Sequence, residues 1–399
     1  MRMRRFLLIV TILLISGCHV AQKRIPITEK KPTPKPSNPV QPKSYIKEAK
    51  LIGVGDIMMH RTQIQSGYDG QSKTYNFDGF FTEVKKILST GDWAIGNLET
   101  TLAGEDAGGY TGYPLFNAPT ELADAIQGAG FNILTTANNH ALDRGEKGVI
   151  RTIKNLRDRQ LASTGTATST SEANKILLVE KNHILMAILA YSYGTNGIPI
   201  PQGKNYLVSL INREKIVKDI AKAREKGADI VTVCLHFGEE YQRQPNAEQK
   251  KLVDTLVKAG ADIILGSHPH VVQPYQVFEL KRENGRRKKA VVIYSMGNFI
   301  SGQVGSYKDF GVIFTVNFRK KFPEKIVEIG KVEAIPTWVH RYSANGKLNY
   351  RVLPLAAVVR SKSDRLLAKE QYPILVKNLQ DMNRHLESLS DRKSVKLVK

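Results

Sequence analysis

One unit recurs four times along this chain, and it restricts the fold more than any other feature. A helix-like segment ends at a glycine, a short apolar run follows, and a cluster of Asn, His or Glu comes six to ten residues after the glycine. The copies read FTEVKKILSTGDWAIGNLETT with Gly91, ELADAIQGAGFNILTTANNHALD with Gly130, VKDIAKAREKGADIVTVCLHFGEEY with Gly227, and QKKLVDTLVKAGADIILGSHPH with Gly260. Glycine accepts the left-handed conformation that stops a helix. The runs after it are apolar throughout, as in strands buried on both faces. Alternating helix and strand builds βα units and parallel strands. Right-handed crossovers then leave the C-terminal strand ends on one edge of the sheet, where ligands bind in open α/β folds. The pattern therefore predicts that Asp56, Asn97, Glu99, Asn139, His140, His236, His268 and His270 meet in space, although they span more than 200 residues of sequence.

The chain divides by composition. Residues 1–17 carry a basic start, MRMRR, and an apolar FLLIVTILLI; ISGC then puts small residues before Cys18. This is the pattern of a secretory signal with a bacterial lipoprotein cleavage site, which makes Cys18 the candidate for lipidation. An uncleaved signal anchor is the alternative, and both place the rest of the chain outside the cytoplasmic membrane. Residues 18–48 are rich in Pro and Lys and read as an extended tether. Residues 49–358 form the expected folded domain, and 359–399 a C-terminal helix with a basic tail. Within the domain, the stretch from about 290 is rich in strands, and Asn345-Gly346 marks a hairpin. It predicts an antiparallel portion packed on the α/β part or completing a second sheet. The last helix is expected to be interrupted near Pro373. With only two cysteines, and Cys18 lipidated, Cys234 has no partner and reads as a small buried hydrophobe.

The formal net charge of +22, from 59 basic and 37 acidic residues, favours polyanions or an anionic surface. No zinc-finger spacing, aromatic RNA-binding motif or basic-helix heptad is present, so nucleic acid is not expected as a partner.

Imidazoles, carboxylates and an Asn carbonyl suit zinc, manganese or iron, as one ion or two. Glu99 has two oxygens with which to bridge a pair. Two ions about 3.5–4 Å apart can polarise a phosphoryl oxygen and activate water. His140, next to Asn139, is the candidate acid for a leaving oxygen, with Asp143 three residues on to orient it. Arg61, Glu240 and Asn298 are candidates for substrate binding. Bland readings stand beside these. Asn138 and Asn139 suit a turn, His236 a hydrogen-bonded core position, Glu239 and Glu240 the first turn of a helix, and Asn298 a turn.

Six motifs, GVGDIMMHR, GNLETTL, ANNHALDRGEKGV, HFGEEY, GSHPHVVQP and YSMGNFISGQ, run in order from about Lys50 to Gln303. Together they resemble the capsule-synthesis CapA family of poly-γ-glutamate biosynthesis, which is similar in turn to the calcineurin-like metallophosphoesterases. The resemblance implies an α/β fold of four layers: a metallophosphoesterase-like double β-sheet sandwich flanked by helices, here with a C-terminal helical extension. It also implies a dinuclear metal site. By position, Asp56 matches the first metal Asp, Asn139 and His140 the Asn-His pair, His236 the lone metal His, and His268 and His270 the final His-x-His. Met58 stands where that superfamily has a His, and Asn97 and Glu99 are the local candidates for its bridging Asp. A mononuclear site, a site that binds without turnover, and compensation by His60 all stay open. The implied roles are capsule synthesis or export with an anionic polymer such as poly-γ-glutamate and membrane synthase subunits as partners, a metal-dependent phosphoesterase acting on an envelope polymer, or a non-catalytic polyanion-binding envelope protein.

Overall fold

The computed structural model describes residues 44–281, 287–344 and 346–389. The signal, Cys18, most of the tether and the basic tail lie outside the described residues. The strands are β1 (Tyr45–Ile57), β2 (Tyr68–Asp69), β3 (Thr74–Tyr75), β4 (Trp93–Leu98), β5 (Ile133–Thr135), β6 (Ala162–Thr164), β7 (Leu177–Lys181) and β8 (Ile184–Ser192). They continue with β9 (Ile230–His236), β10 (Ile263–Ser267), β11 (Val272–Lys281), β12 (Arg287–Met296), β13 (Asn298–Ile300), β14 (Phe310–Phe322), β15 (Ile326–Ala344) and β16 (Lys347–Pro354).

Two mixed sheets face each other. One runs β16-β15-β14-β1-β4-β5-β6, with β13 beside β1; the other runs β11-β12-β10-β9-β8-β7. The recurrent units supply the parallel strands β4, β5, β9 and β10. The strand-rich stretch is split between the sheets. β14 to β16 extend the first sheet antiparallel from β1, and β11 and β12 close the second.

Side-chain alternation sorts residues into layers. Leu51, Trp93 and Ile95 face inward onto Ile188, Ile230, Ile263 and Leu265 of the other sheet. Their neighbours Ile52 and Val54 face outward onto Leu122, Ile126 and Leu156 of the first sheet's helices. On the far side, Val231 and Val233 meet Ile216, Ile220, Val253 and Leu256. The result is an α-β-β-α sandwich with three apolar seams. The C-terminal extension, helices Leu355–Ser361 and Gln371–Leu386, joins the central seam through Val358, Tyr372, Leu375, Met382 and Leu386.

Several local expectations are corrected. β1 opens at Tyr45, four residues ahead of Ala49. Gly130, Gly227 and Gly260 have positive φ at helix ends, but Gly91 does not. The helix before Gly91 is a single turn, Lys85–Leu88, and a Cβ at Gly91 would stand 2.9 Å from Ile52 Cγ1, so close packing selects that glycine. Glu239 and Glu240 open no helix. They lie on a turn, and the helix starts at Ala247 with Asn246 as its cap. Pro373 does not interrupt the last helix. It lies in the first turn, where its missing N–H has no intrahelical acceptor to lose.

Candidate metal centre

The parallel strands of both sheets end on one edge, and the local sequence aims their last residues inward. At β1 the main chain passes so close to β12–β13 that a Cβ on Gly55 would stand 1.8 Å from Gly297 O. Glycine alone permits this approach, which sets Asp56 with its N–H on Gly297 O at 2.9 Å. Gly266 does the same at β10, where a Cβ would lie 1.9 Å from Tyr294 O. Beyond it, His268 and His270 adopt positive φ of 98° and 57°. Left-handed backbone at a non-glycine residue costs on the order of 1–3 kcal/mol and gathers at functional sites.

The edge brings Asp56, Asn97, Glu99, Asn139, His140, Asp143, His236, His268 and His270 into one buried group. Asn97 Nδ2 donates to Asp56 Oδ1 at 2.8 Å, and His270 Nδ1 donates to Asp56 Oδ2 at 3.1 Å. His236 Nε2 donates to Asn139 Oδ1 at 2.7 Å, with Glu99 Oε1 at 3.4 Å from the same nitrogen. His270 Nε2 lies 3.8 Å from Glu99 Oε1. Two sets of donors suited to an ion result, Asp56–Glu99–His236 and Glu99–His268–His270, and Glu99 belongs to both. Asn139 Oδ1 adjoins the first set through His236.

The strongest test of fit is what is left unpaired. Glu99 is fully buried, and neither carboxylate oxygen has a hydrogen-bond partner; His268 Nδ1 is buried and unpaired as well. A buried carboxylate without a donor is costly, and most buried polar groups are satisfied. A divalent cation would supply the missing partner for these atoms, and the oxygen and imidazole donors fit zinc, manganese or iron.

The electrostatics agree. Burial, with the nearby Asp56 charge, raises the Glu99 carboxyl well above the ordinary range. Burial would raise Asp56 too, but the hydrogen bond and charge of His270 outweigh it and bring the group to about 2. Burial pushes His236 down to about 3 and His268 to about 2, keeping both imidazoles in the neutral form that binds metal. Burial opposes a charge on His270, yet Glu99 and Asp56 raise it to about 9.

Beside this group stands a proton-handling pair. His140 Nδ1 donates to Asp143 Oδ2 at 2.7 Å, and the same oxygen accepts from Phe116 N at 2.6 Å. The His140 ring meets Phe116 edge-on at 4.6 Å. This fixes the tautomer and leaves Nε2 toward Asn196 Nδ2 at 3.4 Å. Asn196 Oδ1 in turn accepts from Asn139 Nδ2 at 3.0 Å, linking the acid candidate to the metal side.

The remaining candidates are placed differently. Asn298 lies beside Asp56 in register and is buried. Its amide donates to Gln303 Oε1 and Lys308 O, so it braces the neighbouring turn. Glu240 is exposed on the turn after β9, within electrostatic reach of His270. Arg61 lies outside the cluster and lines a cleft next to Asp143. Met58 is buried, and its backbone rather than its side chain is bonded, N to Ile300 O. His60 Nδ1 accepts from Gly302 N at 3.1 Å and belongs to neither donor set.

The motif reading missed Tyr193 and Asn196, which follow β8, and Tyr241. The Tyr193 ring packs on His268 at 4.4 Å, and the Tyr241 ring lies 6.1 Å from His270. The signal available was YSYGTNG at the end of an apolar strand, a sixth strand end rich in polar residues.

The profile of the bacterial capsule synthesis protein PGA_cap family matches residues 50–303. The chain is 33% identical over 258 residues to the capsule biosynthesis protein CapA of Bacillus anthracis, covering 63% of this chain and 59% of that protein. It is 31% identical over 252 residues to the PGA biosynthesis protein CapA of Bacillus subtilis (strain 168), covering 63% and 62%. The matches thus span about three-fifths of those relatives' lengths. Among solved structures, it is similar to the calcineurin-like phosphoesterase YfkN from Bacillus subtilis, with 13% identity, a TM-score of 0.40, and coverage of 86% of this chain and 99% of that one. The profile covers more than half of the chain and contains every strand end that feeds the centre: the protein belongs to the bacterial capsule synthesis PGA_cap family.

Proposed function

We propose that this protein acts on an anionic polymer of the bacterial envelope, of the poly-γ-glutamate type, through a metal-dependent hydrolytic centre. The observation that carries the reading is Glu99: buried, unpaired at both oxygens, and shared by two ligand sets beside a His–Asp pair. Asp56, Asn139, Glu99 and His236 would hold one ion, and Glu99, His268 and His270 a second. When bound, the metal supplies Lewis-acid polarisation of the bond to be cleaved. To act as the acid, His140 would carry a proton on both nitrogens, keeping Nδ1–H on Asp143 and giving the Nε2 proton to the leaving atom, while Asn139 and Asn196 keep that ring in place. The Tyr193 and Tyr241 rings lie over His268 and His270 at the outer side of the centre.

A polymer suits the surroundings. A cleft of about 870 Å³ adjoins Asp143 on one side, and a second of about 430 Å³ adjoins Tyr193 on the other. The names of the relatives, the net charge of +22 and the lipoprotein-type N-terminus support placement on the outer face of the cytoplasmic membrane, anchored at Cys18, with membrane synthase subunits as partners. A second reading, polymer binding at the metal without turnover, follows from Met58, which leaves the first ligand set one imidazole short of the expected pattern.

Elemental analysis of the purified chain tests the centre. We expect bound transition metal in the native chain and loss of it in His268→Ala. A native chain with no more metal than that variant refutes the reading. Hydrolysis of an aryl phosphodiester by the native chain, lost in His140→Ala, selects turnover over binding alone.

A further inference from the structure

The cleft beside the His140–Asp143 pair holds chemistry that the metal centre does not use. Arg61, Tyr110, Thr111, Tyr113, Asp143 and Arg144 line it. Arg144 follows the acid's partner in sequence. Its Nη1 donates to Asp143 O at 2.9 Å and its Nη2 to Thr111 Oγ1 at 2.5 Å, while Nε is buried and has no partner. Among the described residues, neither Arg144 nor Arg61 is paired with a carboxylate. Other arginines are: Arg151 with Asp106, Arg159 with Asp124, Arg351 with Asp364. The wall is also tightly built. A Cβ on Gly112 would stand 2.6 Å from Arg61 N, so the loop carrying Tyr113 sits directly on the start of the Arg61–Gly67 helix. Tyr113 is 77% exposed at the mouth.

Two unneutralised guanidinium groups at one cleft, with an exposed aromatic ring beside them, form a receptor for an anion on an extended chain. Arginine's fork matches carboxylate and phosphate geometry. The cleft lies on the Asp143 side of His140, away from Nε2, so it flanks the centre and does not face the reacting bond. We infer that Arg144 and Arg61 form a flanking subsite that holds an anionic group, carboxylate or phosphate, on a part of the polymer beyond the bond acted on. This rests on the reading of the neighbouring centre as one that acts on an anionic polymer.

Titration calorimetry on the full-length chain tests it, with a γ-linked glutamate oligomer and inorganic phosphate as separate probes. Arg61→Gln and Arg144→Gln should each weaken binding of the recognised probe by about tenfold, and the double variant by the product. Arg144→Lys should recover only part of the loss, because it keeps the charge without the fork. Metal content and melting temperature should match the native chain in all of them. Loss confined to the oligomer identifies a carboxylate, and loss confined to phosphate identifies a phosphate. Equal affinity in the native chain and a folded double variant overturns the subsite, as does a native chain that binds neither probe. Failure of the metal reading shows separately, as native metal content in His268→Ala, and does not involve either arginine.

Discussion

The strands β9 and β10 have an acid before one end, Asp229 and Asp262, and imidazoles at the other, and the two ends treat a carboxylate in opposite ways. Asp262, just before β10, accepts from Val231 N at 2.7 Å and pairs with both Arg224 and Lys288. Asp229, just before β9, accepts from Leu185 N at 2.9 Å and pairs with Lys320 across to the other sheet at 2.6 Å. Beside the imidazoles at the far end, Glu99 after β4 and Asp56 in β1 meet no lysine or arginine among the described residues. Asp56 is hydrogen-bonded to an amide and an imidazole, whereas Glu99 accepts no hydrogen bond and has only the His236 and His270 imidazoles within 4 Å. Asp262 and Glu99 are equally buried and unequally satisfied, which separates an acid that ties the fold together from one left without a hydrogen-bond donor.

The sharpest way to break this contrast is to remove an acid from the satisfied end. Asp262→Ala strands Arg224, Lys288 and the Val231 N–H. Breaking a buried ion pair typically costs about 3–5 kcal/mol, and the partial exposure of the two cations places this one near about 3 kcal/mol. Chemical denaturation should show that loss, and elemental analysis should show native metal per folded chain. Metal loss at native stability would mean that the two ends are not independent.

The converse substitution is Glu99→Gln. In the metal-free chain it replaces an unpaired buried carboxyl with a neutral amide, so stability should stay level or rise by about 1 kcal/mol. In the presence of metal the same variant should lose the ligand-induced rise in melting temperature seen in the native chain. A drop in metal-free stability comparable with that of Asp262→Ala would show that Glu99 is structural, and the contrast would fail.

How far the sequence foretold this arrangement depends on how each part was encoded. The recurrent helix–glycine–strand unit made β4, β5, β9 and β10 legible, and with them Asn97, Glu99, Asn139, His236 and His268, because one local pattern carried both the strand and its terminal ligand. β8 was not preceded by that unit. It follows a hairpin from β7, so Tyr193 and Asn196 at its end went unread. The paired end was also illegible: Asp229 and Asp262 look like ordinary loop acids, and only the approach of β14 and β12 supplies Lys320 and Lys288. Glu239 and Glu240 were misread as a helix start because acidic residues favour a first turn. The Asn246–Gln249 capping box seven residues later is the stronger start signal. Nothing in ALDRGEKGV sets Arg144 apart from the chain's other arginines, because its lack of a carboxylate partner is a three-dimensional fact.

The smallest expected effect comes from pH, which acts on the two ends differently. Take the metal-free chain below pH 6.5. The unfolded chain gains protons at His236 and His268, whose folded forms stay neutral down to about 3 and about 2. The unfolded state then binds more protons, so stability falls as pH falls. Glu99 opposes this above its ordinary range of 4.5, since its raised folded value keeps a proton that the unfolded chain releases; that is one proton against two. Above pH 6.5 the sign reverses. His270 holds its proton up to about 9 in the folded chain only, so its contribution, complete below 6.5, is lost as pH rises through about 9. Metal-free stability should therefore peak near pH 6.5, with slopes of at most about 1.4 kcal/mol per pH unit for each net proton. Asp262→Ala should lower this curve without moving its peak, because it leaves the imidazole end intact. Metal should move the peak upward, because binding displaces the His270 proton and tightens as pH rises. Denaturation midpoints from pH 5 to 9, with and without chelator, decide the matter: a metal-free optimum above pH 8 would mean that the imidazoles are not held as the buried cluster requires.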